Sequence, residues 1–336
     1  MKIKKQELQT ALEIVKPGLA NKPIIEQATA FAFINGNVVT YNDEISISHP
    51  IQGLKIEGAI EATELYALLT KFKKDEIDVE ITKSEIQFTS GRNKSYLTLQ
   101  TEINLPLEEI GEIDDWKPLP ETFNKHVKFA IHSCSRDMST PILTCVHIRK
   151  DGIIEATDGF RIVNCKGKKM PVTNFLLPSS AAAEVIKLNP INIATGKGWI
   201  HFQSKEGTVI SCRIFEDKYM NISQHLNVNG LELTLPKTIN EMIDRVGIFA
   251  KRDYFLDESI YITIENKRIK LKAESETGRG EEEANIRYTK KEKIEFIISP
   301  YLFKDVLNET NEMIIDEKKV KFLADDWVYI IILKNK

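Results

Sequence analysis

Six histidines, His49, His126, His132, His147, His201 and His225, are the side chains best suited to proton transfer or metal ligation in this chain of 336 residues. No two of them form an H-x-x-x-H pair, the spacing that puts two ligands on one face of a helix. The four cysteines, Cys134, Cys145, Cys165 and Cys212, contain no C-x-x-C pair, so neither a zinc knuckle nor a dithiol redox motif is indicated. Gly196-Lys197-Gly198 lacks the remainder of a phosphate-binding loop. Asp114-Asp115 and Asp325-Asp326 are adjacent carboxylates, and neighbours on a strand point to opposite faces, so they read as turn residues before a metal pair. An enzyme reading is left with Asp158 and Arg161 in a cleft, without a nucleophile, a metal set or a cofactor loop. The expectation is a protein with no catalytic residues, no metal and no cofactor.

Chemistry without catalysis is then binding, and the charges bound its kind. Apolar residues make up 42% and charged residues 28% of the chain, with a formal net charge of -3. A nucleic-acid partner would have to be met by local basic surfaces, because the bulk charge does not attract phosphate. The longest apolar runs, such as Tyr329–Leu333, are far below the roughly 20 residues of a membrane span, and no membrane partner is expected. The opening MKIKKQELQTALEIV reads as an amphipathic strand–helix start and not as a secretory signal. Buried thiols in a reducing compartment point to the cytoplasm.

The elements that position these residues repeat. KIKKQELQTALEIV, LPETFNKHVKFAI and LTLPKTINEMIDRVGIF each pass from a short strand into a helix, at intervals of roughly 115 residues. Leu8, Leu12 and Val15 superimpose on Phe123, Val127 and Ala130, and on Ile239, Ile243 and Val246; the spacing i, i+4, i+7 is one face of an amphipathic helix. A second helix recurs in residues 58–69, 175–186 and 296–307. Pro178 with Ser179 and Ser180 opens the second copy, and Ser299-Pro300 the third, with Ser as N-cap and Pro at the first helical position. Between the helices the chain reads as strands, with a hairpin at Asn35-Gly36-Asn37 and another at Glu265-Asn266. Each third becomes two βαβββ half-repeats in an α+β architecture, linked at Asp114–Pro120 and at His225–Gly230. The expected domains are 1–117, 118–228 and 229–336. An open row of three such domains leaves sheet edges unpaired; a closed ring removes them.

Within this frame, EATDGFRIV (155–163) resembles the A-T-D-G-H-R-L segment of bacterial beta sliding clamps. SGRNKSYLTLQ, IDDW, LPSSAAAEVIKL, RIFEDKYMNI and SPYLFKDVL resemble further segments of that family in the same order along the whole chain. The resemblance implies a DNA clamp fold of three similar domains, a homodimeric ring with twelve helices around duplex DNA, and a processivity role for DNA polymerase. It competes with two other readings, a repeat-built peptide adaptor that never loads on DNA and an enzyme with an unrecognised site.

The family also implies three sets of residues. Sequence-independent phosphate contacts fall to Lys5, Lys22, Lys73, Lys125, Lys128, Arg136, Lys187, Arg245, Lys251 and Arg252. The head-to-tail interface falls to Arg92, Lys94 and Leu97 on one side and to Ile248, Phe249, Glu281 and Glu282 on the other. A groove for short linear motifs of the polymerase and clamp loader falls to Leu143, Thr157, Gly159, Phe160, Arg161, Ile162, Met220, Leu302, Ile330, Ile332 and Leu333. In this groove Leu143, Ile162, Met220, Leu302 and Ile332 are expected to bury an apolar anchor, and Arg161 to meet polar peptide groups at the rim. Phe160 replaces a usual His, Met220 a usual Pro, and the tail Leu333-Lys334-Asn335-Lys336 lacks a terminal apolar residue, so the partner motif is expected to differ from the common one.

Overall fold

The computed structural model describes residues 1–254, 256–290 and 292–335; Lys336, at the end of the tail noted above, lies outside them. Three times over, the chain runs through a strand, a helix, four strands, a second helix and three strands. The six α-helices among the described residues are α1 (Lys5–Val15), α2 (Ala62–Lys71), α3 (Phe123–Ile131), α4 (Ser179–Lys187), α5 (Ile239–Gly247) and α6 (Pro300–Leu307). The nine apolar positions aligned from the sequence are all buried, from Leu8, Leu12 and Val15 to Ile239, Ile243 and Val246. This is why α1, α3 and α5 form where they do: each has one apolar stripe to place on a sheet and a polar remainder for water. α6 begins as expected, with Ser299 at the N-cap and Pro300 first in the helix. In α4 the N-cap is Pro178, and Ser179 already belongs to the helix.

The chain divides into two compact units, residues 1–124 with 170–216 and residues 125–169 with 217–336. In the first unit an antiparallel sheet runs in the order Gly58–Glu61, Ala30–Ile34, Asn37–Tyr41, Ile45–Pro50, Val209–Arg213, Trp199–Gln203, Asn192–Thr195 and Lys117–Pro118. The two strands Ile45–Pro50 and Val209–Arg213 pair with Ile210 opposite Ile47, joining one repeat to the next. Lys117–Pro118 is therefore a strand, within a segment whose composition reads as a linker. A smaller sheet runs Lys2–Lys4, Glu76–Ile81, Glu85–Ser90 and Asn93–Thr98. The Asn35-Gly36 hairpin closes with Ile34 opposite Asn37 and with positive φ at both turn residues, the geometry that selects Asn-Gly.

The second unit repeats the plan. Its larger sheet contains, in order, Cys145–Ile148, Ile153–Thr157, Arg161–Lys166, Trp327–Ile332, Lys319–Ala324, Glu312–Ile315 and Leu231–Thr234. Its smaller sheet runs Gly278–Asn285, Arg268–Ser275, Ile260–Glu265 and Ile294–Ile298. The second hairpin turns at Asn266-Lys267, one residue later than its composition suggests, because Glu265 still pairs with Arg268. All four cysteines are buried and free, and burial pushes the Cys145 thiol up to about 11 and that of Cys165 to about 12.

Candidate partner-binding groove

Every residue assigned to the groove lies in the second unit, around its central strands Ile153–Thr157, Arg161–Lys166 and Trp327–Ile332. Strand one ends at Thr157 opposite Ile162, and Arg161 and Ile162 stand opposite Ile331 and Ile330. The connection between the first two strands is a built turn. Asp158 Oδ1 accepts from the backbone N–H of Phe160 and of Arg161, each at 2.9 Å, and Thr157 Oγ1 donates to the carbonyl of Arg161 at 2.7 Å. Gly159 carries the turn at φ +89, a conformation that excludes most side chains, and the space above it is open. Phe160 leaves the turn outward, and its carbonyl accepts from Ile332 N at 2.9 Å, which holds the turn to the closing strand.

Burial sorts the assigned residues into a surface and its support. Phe160, Met220 and Ile332 are 48%, 45% and 45% exposed, and Leu143 and Leu333 are half-buried. Thr157, Ile162, Leu302 and Ile330 are buried beneath them. Leu302 and Ile162 thus belong to the floor and do not offer an open apolar face, because α6 turns its 302, 303 and 306 stripe onto the sheet.

Arg161 departs from its expected rim position. It is 2% exposed, and its donors are turned inward. Nε donates to Asp158 Oδ2 at 2.9 Å, and one terminal nitrogen donates to the Asp305 carboxylate and to Tyr329 Oη, the latter at 3.2 Å. The guanidinium also lies 5.2 Å from the centre of the Tyr301 ring. Burial disfavours its charge, but Tyr329, Asp158 and Asp305 outweigh that and hold the guanidinium protonated above its ordinary range. Burial pushes the Tyr329 phenol up. Arg161 is the rivet that fastens the Asp158 turn to α6 and to the strand Trp327–Ile332. Sequence reading missed its partners Tyr301, Asp305 and Tyr329; the available signal was the i, i+4 spacing of Tyr301 and Asp305 on one face of α6.

A second concavity in the same unit, 360 Å³ in volume, lies between α3 and α6 over Phe129 and Trp327, whose rings are 5.0 Å apart. Lys125 and Lys128 line it. Lys125 is tied to Asp326 at 2.7 Å, and Asp326 also meets His126 Nε2 at 3.0 Å; these two bonds hold the Asp326 carboxyl below its usual range. Asp325-Asp326 forms the turn after Ala324, as its composition suggests.

The other basic candidates are not equivalent. Lys22, Lys73, Lys128 and Lys251 are exposed and have no ion-pair partner among the described residues. Lys5 donates to the Phe72 carbonyl at 3.1 Å, Lys187 pairs with Glu184 at 2.7 Å, Arg136 donates to Tyr301 Oη at 3.3 Å, and Arg252 donates to the Glu274 carbonyl at 2.9 Å. Arg245 is bound to Glu282 through two bonds of 2.5 and 2.8 Å. Of the interface candidates, Arg92 and Lys94 are exposed and Leu97 half-buried on or beside the edge strand Asn93–Thr98. Ile248 is 61% exposed at the end of α5. Glu281 pairs with Lys270 at 2.6 Å.

No family model and no curated protein matches the sequence. Solved structures do match it. The DNA polymerase III subunit beta of Pseudomonas aeruginosa superimposes with a TM-score of 0.86 at 16% identity, covering 100% of both chains. A sliding clamp from Bartonella birtlesii, bound to griselimycin, gives 0.85 at 16% identity, and the beta subunit of the Streptococcus pyogenes DNA polymerase gives 0.84 at 17%; each match covers 100% of this chain and 99% of the other. The chain has the fold of a bacterial sliding clamp. The clamp fold spans the whole chain, and the three strand–helix repeats are its framework. Within the clamp fold, the Asp158 turn holds Phe160 beside Ile332, and both side chains are exposed.

Proposed function

We propose that this protein is a DNA sliding clamp, a processivity factor that encircles duplex DNA and tethers polymerase and other replication or repair proteins. The observation that carries this reading is the likeness of fold over the full length of both chains. The three repeats, 1–117, 118–228 and 229–336, serve as its domains, and two copies joined head to tail close the ring. Retention comes from topology, so the lining needs only weak, sequence-blind phosphate contacts, and free lysines such as Lys22, Lys73, Lys128 and Lys251 are suited to them. The protein acts in the cytoplasm and catalyses nothing itself.

The groove takes a short linear motif of polymerase or loader. Burying one Leu or Phe anchor against Phe160, Met220 and Ile332 contributes roughly 1.5–3 kcal/mol. Peptides carrying a Gln followed by Leu-Phe are expected to bind wild type and to lose at least tenfold in affinity for Met220→Lys and Phe160→Lys; both positions are exposed, so the fold survives the change. The decisive experiment is loading onto nicked circular DNA by a clamp loader. The ring reading expects retention that is lost when the circle is linearised, whereas a peptide adaptor binds the motif and is not retained on either form.

A further inference from the structure

Lys125, Lys128, Phe129 and His132 follow one another at i, i+3, i+4 and i+7 along α3 and the residue after it, the spacing of one helix face, and all four line the 360 Å³ concavity beside α6. That volume falls within the range of small-ligand cavities, about 300–1,000 Å³. Phe129 is half-buried and is fixed from behind: its ring centre lies 5.0 Å from that of Trp327 and 5.6 Å from that of Tyr329, and both of those rings are buried. It is a platform held in place by its neighbours.

The two walls of the cavity have opposite charge. On the α3 side Lys125 is tied to Asp326, so Lys128 is the lysine still open to a ligand; it is exposed and has no ion-pair partner among the described residues. On the α6 side Asp305 is committed to Arg161, and Asn308 Oδ1 accepts from Asn240 Nδ2 at 3.2 Å. The carboxylate left is that of Glu309, also exposed and without an ion-pair partner among the described residues. A contact with duplex phosphate needs only the lysines; the aromatic platform and the facing carboxylate call for more. An aromatic ring between a free cation and a free carboxylate complements a nucleotide whose base carries an amino group. The base stacks on Phe129, the phosphate meets Lys128, and the exocyclic amino group donates to Glu309, as a cytosine N4 donates to a carboxylate. Thymine presents a carbonyl oxygen at that position and is repelled. A base inside a duplex has both faces stacked and cannot enter, so the ligand is unpaired.

We propose that the cavity between α3 and α6 is a binding site for one unpaired nucleotide with an amino-bearing base, supplied by single-stranded DNA or as the free nucleotide. The site lies within one unit, so it goes beyond the sliding-clamp function and does not depend on ring closure. Strands too short to be held by topology test it.

The experiment is fluorescence anisotropy with end-labelled single strands of about eight nucleotides, all cytosine or all thymine, at low salt. Wild type is expected to bind the cytosine strand about tenfold more tightly than the thymine strand. Glu309→Gln is expected to bring the two within about twofold of each other, because the amide also donates to thymine. Lys128→Gln is expected to weaken both equally, by about threefold or more, because a phosphate contact is blind to the base. Both substituted residues are exposed, so the fold survives the changes. Deoxycytidine monophosphate is expected to displace the cytosine strand, and inorganic phosphate at the same concentration to leave it bound. A monophosphate that binds as tightly as the strand identifies the free nucleotide as the source of the ligand; a strand that binds about tenfold more tightly identifies single-stranded DNA. Equal affinity of wild type for the two strands, discrimination that survives Glu309→Gln, displacement by phosphate alone, or no binding of either strand overturns the site. Loading onto circular DNA is a separate outcome: a protein that loads and shows no base preference keeps its ring and loses this pocket.

Discussion

Each unit holds an arginine that meets two carboxylates, a tyrosine hydroxyl and an aromatic ring, and the two differ in their exposure to water. In the first unit Arg213 donates to Asp43 at 2.7 Å, to Glu109 at 3.1 Å and to Tyr41 Oη at 3.3 Å, and lies 4.7 Å from the centre of the Trp199 ring. In the second, Arg161 has two carboxylates, the Tyr329 hydroxyl and the Tyr301 ring. The Arg213 side chain is 41% exposed and that of Arg161 is 2% exposed. Water already solvates the first guanidinium and screens its pairs, so its bonds add little. The second has no water to return to, and a lost partner leaves a buried charge. The same chemical group is thus a surface ornament in one unit and a structural rivet under the candidate groove in the other.

Removing the buried charge should have the largest effect. Arg161→Met leaves Asp158 and Asp305 without their partner and is expected to cost about 3–5 kcal/mol in unfolding free energy, with loss of motif-peptide binding as the Asp158 turn comes free. Chemical denaturation together with peptide titration checks this; a loss under about 1 kcal/mol would mean the rivet does not hold the turn.

Acid provides a second contrast, through a buried neutral group in the unit that lacks a buried arginine network. Burial lowers the His201 imidazole from 6.5 to about 4, and its Nδ1 lies 2.9 Å from Ser211 Oγ. The unfolded chain then binds this proton more readily than the folded one. The contribution of neutral His201 is fully present above pH 6.5 and is lost as pH falls toward 4, up to roughly 3 kcal/mol. Melting temperatures of wild type and His201→Gln should converge across that window; parallel curves would remove His201 from the acid response.

Hydroxyl deletions sharpen the comparison within the two networks. Tyr329→Phe removes a buried acceptor from a charged donor and is expected to cost about 1.5–3 kcal/mol, while Tyr41→Phe, whose hydroxyl meets a solvated guanidinium, is expected to cost about 0.5 kcal/mol. Arg213→Met should likewise change stability by about 1 kcal/mol or less and should respond to salt, as exposed pairs do. Equal costs for the two arginines, measured by the same denaturation, would break the comparison outright.

Local pattern was enough for the repeating framework. The stripe of Leu8, Leu12 and Val15 and its two later copies, the Asn35-Gly36 turn and the Ser299-Pro300 helix start are short-range signals, because helix faces, turn geometry and caps depend on residues a few positions apart. The turn at Asp158 and Gly159 was also legible, through the A-T-D-G motif. Which residues of the groove are open and which are buried was not. Phe160 and Arg161 are neighbours in sequence, yet one is 48% exposed and the other 2%, because Asp305 and Tyr329, about 140 to 170 residues away, close over the second and leave the first to solvent. The same holds at the far edge of the second unit. The family resemblance assigns Glu281 and Glu282 to the head-to-tail interface, and only the register of Lys270 on the next strand, with Arg245 descending from α5, decided that each carboxylate has a partner in its own unit. A side chain's type sets what it can bind; the long-range pairing of strands sets whether water or another residue reaches it first.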